Sequence, residues 1–168
     1  PERALGTVVW QAAEIAAPGH VVHNYGDRMP LGEPTGEKTE RVQRLSHLLT
    51  SAGIKSPVRP NLRNEIWLKL WGNLSFNPVS VLTQGTLAEL ATDPGTRRVI
   101  RTMMEEARAV GEKLGIAFAV DAEERMDMAA KVGAHRTSML QDVLAGRPTE
   151  LDSLLGVVIE LAGIVQIS

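Results

Sequence analysis

The sequence predicts a mostly α protein in which a small β-rich segment precedes the helices, and three observations predict it. Apolar residues recur at helical spacing through most of residues 61–168. β-Branched residues and turn signals fill the first sixty instead. Helix start and stop residues, Asp93-Pro94 and Gly115 among them, fall where a periodic segment begins and ends.

Taken in order, residues 6–13 (GTVVWQAA) have strand character. Pro18-Gly19 marks a turn, and Val21, Val22 and Tyr25 suggest the returning strand. Residues 29–31 suggest a third strand and residues 54–58 a fourth. Between them, Val42, Leu45, Leu48 and Leu49 predict a helix over 39–52 that stops at Gly53. Residues 1–60 thus read as a small sheet with one helix, too little to bury a good core alone. A boundary falls near Arg59-Pro60-Asn61. Beyond it, helices are predicted over residues 62–84, 94–114, 121–132, 138–144 and 149–164, with no comparable strand signal.

Bulk properties exclude several function classes. A length of 168 residues suits one domain or a small domain plus a fragment. Hydrophobic residues at 43% and charged residues at 23% make a globular chain. A net charge of −2 argues against a nucleic-acid partner. No run approaches the roughly 20 apolar residues that span a bilayer. The absence of cysteine removes disulfide and thiolate chemistry and fits a cytoplasmic protein. The chain opens at Pro1 without a signal peptide and stops inside an apolar segment, so both ends read as cuts.

Two apparent motifs fail on inspection. Residues 32–39 (GEPTGEKT) have their glycines one residue too close for a phosphate loop, and Glu37 would repel phosphate. His20 and His23 sit three apart in a strand and so point to opposite faces. His47 and His135 have no evident companion, so no metal site is expected. No G-x-G-x-x-G occurs.

The informative stretch is residues 65–78, EIWLKLWGNLSFNP. Residues four apart share a helix face, so Lys69, Asn73 and Asn77 form one polar stripe. Ile66, Trp67, Leu68, Leu70, Trp71, Leu74, Phe76 and Val79 surround it, the pattern of a buried helix. A solvated stripe is the ordinary reading of such a pattern. One cation and two amides, without the usual mix of Glu and Lys, suit instead a cleft that binds a small anion, and a buried lysine can serve as a proton donor. Pro78 frees a backbone carbonyl beside it. Ser138 with Gln141 makes a capping-box pattern, whose helix N-terminus could also receive a carboxylate. Thr149 reads as an N-cap with Asp152 three residues on, and Glu150 falls in the first turn.

Together, Lys69, Asn73, Asn77-Pro78, then residues 137–142 (TSMLQD), then residues 146–152 (GRPTELD), resemble the C-terminal domain of the ketopantoate reductase family. Ala12-Ala13, Pro18-Gly19 and Leu31-Gly32-Glu33 resemble the last strands of that family's nucleotide-binding domain. The resemblance implies a helical domain of the 6-phosphogluconate-dehydrogenase-like type over residues 61–168, preceded at 1–60 by a remnant of a Rossmann domain. It implies NADPH as cofactor, a 2-keto acid as substrate, and reduction of 2-dehydropantoate to pantoate for pantothenate and coenzyme A synthesis. It implies Lys69 as general acid, Asn73 and Asn77 as substrate-orienting groups, and Ser138 at the substrate carboxylate. Glu150 would accept from a substrate or cofactor hydroxyl, and Ala13 would line the cofactor edge. A homodimer is expected, and the chain by itself is expected to be inactive. An asparagine that some members carry after the lysine helix is matched here by Leu87 or its neighbours, which leaves another branched 2-keto acid open. A reading from a different class also stays open: a non-catalytic helical dimerisation or interaction module.

Overall fold

The structure, a computed structural model, describes residues 3–167. Pro1, Glu2 and Ser168 lie outside the described residues. The chain divides into two compact units, Pro1–Ile66 and Trp67–Ser168.

In the first unit β1 (Gly6–Thr7) pairs antiparallel with β4 (Leu31–Gly32). β2 (Ala12–Ala17) and β3 (His20–Tyr25) form a hairpin turned at Pro18-Gly19, where Gly19 takes φ 75°. The strand predicted over 6–13 is therefore broken. Val8 N–H still donates to the Pro30 carbonyl at 3.0 Å, but Pro30 has no N–H to return the bond. Residues 54–58 do not form a strand. They make isolated parallel bridges, Arg28 with Lys55 and Leu31 with Val58, because Pro57 interrupts the ladder.

α1 (Glu40–Ser51) begins where the Thr39 hydroxyl accepts the Val42 N–H, and Gly53 follows it at φ 90°. Ahead of it, the buried Glu33 carboxylate accepts two hydrogen bonds from Arg41 and one from the Thr39 hydroxyl. Arg41 foremost, then Thr39, lowers the Glu33 pKa from 4.5 to about 2. A depressed carboxyl contributes stability that is present above its unfolded value and lost as pH falls through its folded one. Glu33→Gln should therefore flatten the pH dependence of stability between 4.5 and about 2. Thermal melts across that range check it; an unchanged acid limb would refute it.

α2 (Leu62–Thr83) starts in the first unit and continues into the second. In the first unit Glu65 pairs with Arg28 and Arg59. The second unit continues with α3 (Leu87–Thr92), α4 (Pro94–Lys113), α5 (Ala122–Val132), α6 (Ser138–Leu144) and α7 (Val157–Ile164). Its core gathers around Trp71, Leu74 and Phe76 of α2, with Ile100, Met104 and Ala107 of α4 and Met126 of α5. The Trp71 indole N–H donates to the Met104 carbonyl at 2.6 Å, so the largest core side chain also satisfies its one donor. The Phe118 ring lies 4.8 Å from that of Trp71. It approaches α4 at Gly111, where a Cβ would stand 2.8 Å from the ring. Arg97 of α4 bridges Glu123 and Asp127 of α5.

Three local expectations need correction. The spacing predicts no helix over residues 87–92, yet Thr86 and Glu89 make a full capping box for α3. α6 is capped by Thr137, so Ser138 is its first helical residue, and Gln141 donates to the Arg136 carbonyl instead of closing a box on Ser138. The last segment has no side-chain cap at its entry. It opens as a π-helical turn, Asp152–Gly156, after the Glu150 carbonyl accepts the Leu154 N–H.

Candidate active site

α2 positions the polar stripe because its other faces are apolar and buried. Its buried serines cost little, since each hydroxyl donates back to the helix: Ser75 to the Trp71 carbonyl and Ser80 to that of Asn77. Along the stripe, Lys69 and Asn73 are half-buried, whereas Asn77 is only 5% exposed. Asn77 thus belongs to the packed end of the helix, and Lys69 with Asn73 to its more open part.

Burial pulls the Lys69 ammonium below its ordinary value of 10.5, and the charge of the Glu150 carboxylate pushes it back up. Glu150 is exposed and stands two residues before Asp152, where the π turn begins. The two charges therefore act on each other although 81 positions separate them in the chain. Turns of π-helix recur at functional sites, and this one sits next to the acidic partner of the lysine.

A second link joins α6 to the same helix. Ser80 spends its proton on the Asn77 carbonyl at 2.7 Å, so the buried Thr137 hydroxyl must donate to Ser80, 2.5 Å away. Thr137 also accepts the Leu140 N–H. One threonine thereby caps α6 and docks its start on α2, three residues beyond Asn77. Ser138, next in line, is exposed and not used for capping. The approach is also held from behind, where Leu87 N–H donates to the His135 carbonyl at 2.9 Å and Ala88 N–H to that of Gly133.

The second unit accordingly gathers Lys69, Asn73 and Asn77 on one helix, Ser138 at a helix start docked on it, and Glu150 within electrostatic reach of Lys69. Ala13 lies in the first unit, exposed on β2 and paired with His23. Sequence reasoning missed Arg125, whose half-buried side chain lies against α2 at Gly72, between Lys69 and Asn73 in the chain. The one signal for it was the glycine in the middle of an otherwise bulky helix. Among the described residues no group of three or more His, Asp or Glu could hold a metal ion. No described helix is long and apolar enough to cross a membrane.

The sequence family described as "Ketopantoate reductase PanE/ApbA C terminal" matches residues 61–168. A 2-dehydropantoate 2-reductase of Mesorhizobium japonicum is 52% identical over 98% of this chain and 51% of its own length. The enzyme of that name from Archaeoglobus fulgidus is 27% identical over 94% of this chain and 53% of its own. The crystal structure of 2-dehydropantoate 2-reductase from Methylococcus capsulatus superposes with a TM-score of 0.87 at 30% identity, over 98% of this chain and 57% of that one. D-mandelate dehydrogenase, solved with NADH, shares the fold alone, with a TM-score of 0.85 at 20% identity over 98% of this chain and 56% of that one. The chain spans about half the length of the curated relatives it matches. With the family matched over the helical part and a 52% identical relative along nearly the whole chain, this chain belongs to the ketopantoate reductase family.

Proposed function

We propose that this chain is the substrate-facing C-terminal part of an NADPH-dependent 2-dehydropantoate 2-reductase, serving pantothenate and coenzyme A synthesis in the cytoplasm. Residues 1–60 would end a nucleotide-binding Rossmann domain and residues 61–168 would form the substrate domain. The observation that carries the reading is Lys69, half-buried on an apolar helix with its charge supported by Glu150. That pairing suits a group that must be charged before reaction and must give up a proton during it.

The residues of this chain fit one end of the cofactor only. Glu150 is an exposed carboxylate whose charge acts on Lys69, and it can accept a ribose hydroxyl, but the chain has no glycine loop to cradle a pyrophosphate. Bound NADPH would supply the hydride for the ketone carbon. Lys69 Nζ then donates its proton to the ketone oxygen as negative charge develops there, and its own positive charge stabilises that oxygen. Asn73 hydrogen-bonds and orients the keto acid. Asn77, packed at the closed end, shapes the site more than it reaches into it. Ser138 offers a hydroxyl to the substrate carboxylate, and Ala13 would lie along the cofactor edge. The assembly would be a homodimer; the Staphylococcus aureus ketopantoate reductase of like fold is called dimeric.

The test is NADPH consumption by the chain joined to its nucleotide-binding half, with 2-dehydropantoate compared with 2-oxoisovalerate. A higher kcat/KM for 2-dehydropantoate is expected, and neither turnover nor NADPH binding by the chain alone. Preference for the other acid would reassign the substrate, and turnover by the chain alone would overturn the division of labour. A second reading, a helical association module without catalysis, draws on exposed Leu82, Ile159 and Ile164. It requires a chain that self-associates and a joined protein that reduces neither acid.

A further inference from the structure

The stripe holds one cation, and the negative charge of Glu150 already acts on it. Lys69 and Glu150 sum to zero charge, while a 2-keto acid enters with a charge of −1. Asn73, Asn77 and Ser138 can hydrogen-bond a carboxylate but cannot neutralise it. A second cation would balance the charge of the substrate.

Arg125 of α5 supplies one. Its guanidinium lies against α2 at Gly72: a Cβ there would run into the terminal nitrogen and stand 2.7 Å from Cζ. Gly72 directly precedes Asn73 and is three residues from Lys69, so the guanidinium meets α2 within one turn of both. The other arginines that pack on these helices have carboxylates: Arg97 with Glu123 and Asp127, Arg101 with Glu123 and Arg108 with Glu112. Among the described residues Arg125 has none. Burial alone acts on its basicity, and a guanidinium stays charged in such surroundings. A desolvated cation without a counter-ion is costly unless an anion arrives to meet it.

We infer that Arg125 is a specificity-determining residue of this site, the counter-charge for the substrate carboxylate, and that position 72 is glycine to let its guanidinium reach α2. The inference rests on the reductase reading above. The chemistry of the substrate class supports it. In a 2-keto acid the carboxylate is bonded directly to the ketone carbon, so the cation for the carboxylate must stand beside the acid for the ketone. Arg125 meets α2 at Gly72, within one helical turn of Lys69. A guanidinium also matches a carboxylate with two parallel N–H donors, which an ammonium cannot do.

The experiment compares a 2-keto acid with its uncharged primary amide as substrates of the joined reductase. Arg125→Gln should raise KM for the acid about tenfold to a hundredfold with kcat little changed, and leave KM for the amide nearly unaltered. Arg125→Lys should recover part of the loss. Gly72→Ala adds a methyl that pushes the flexible guanidinium aside while favouring the helix. It should weaken acid binding in a protein at least as thermostable as the parent. Ser138→Ala should raise KM for acid and amide alike. Titration of the chain itself with 2-oxoisovalerate, followed by NMR at the Arg125 side-chain N–H, needs no turnover and should give a saturable shift. Acid-to-amide discrimination unchanged in Arg125→Gln, or lost in Ser138→Ala instead, would overturn the inference. So would the absence of any shift at Arg125. A joined protein that reduces neither acid nor amide would sink the reductase reading itself, whereas persisting turnover in Lys69→Ala would count only against the general-acid role of Lys69 and leave this inference standing.

Discussion

Replacing Lys69 with alanine is expected to lower kcat of the joined reductase about a hundredfold to ten-thousandfold, the range for loss of a positioned general acid. KM should move little, because the lost interaction strengthens as charge builds on the ketone oxygen. Folding should not suffer, since Lys69→Ala removes a half-buried charge and retains the helix. The pH profile gives an independent check. A general acid must be protonated, so kcat falls as pH rises through its pKa, and burial places that limb below 10.5. Glu150 raises the Lys69 value, so Glu150→Gln should carry the limb to lower pH. A limb that stays in place would show that the two charges do not communicate.

The second large effect concerns stability. Trp71 is fully buried, donates to the Met104 carbonyl and stacks near Phe118. Trp71→Ala should cost about 3–5 kcal/mol, from lost transfer energy and a cavity that α2 and α4 cannot close. Domains of this kind are stable by about 5–15 kcal/mol, so the loss is a large share of the whole. Trp71→Phe keeps most of the packing, loses the extra hydrogen bond to the Met104 carbonyl and should fall between the two. Urea denaturation of the three proteins measures this. A Trp71→Ala midpoint close to the parent's would mean that α2 is not the centre of the core.

Periodicity and punctuation carried much of this architecture. Asp93-Pro94 and Gly115 bracket α4 because a capping carboxylate, a fixed proline φ and a left-handed glycine are local requirements, visible without tertiary contacts. α3 escaped because six residues are too few for periodicity to register, although its Thr86 and Glu89 carried the N-terminal signature. The break at Val8 depends on which residue lies across the ladder, and Pro30 is 22 positions away by subtraction. Within the site, the stripe of Lys69, Asn73 and Asn77 follows from helical spacing alone. The difference between a half-buried Asn73 and a sealed Asn77 does not, because it arises where Thr137 docks on Ser80. Arg125 could not be found by spacing at all. It is 53 positions from Gly72, and only folding reveals that the missing side chain of one residue is the seat of another.

The π turn at Asp152–Gly156 bears on how this site could change over generations. Such a turn holds one residue more than an α-helical turn would. α7 beyond it is anchored in the core through Val158, so the surplus residue sets the angle at which Glu150 leaves the helix. Each residue of helix turns the chain by about 100°. An insertion or deletion of a single codon here would swing the carboxylate away from Lys69 while every functional side chain kept its identity. Chain length across five residues is thus as much an inherited part of the site as the residues that line it.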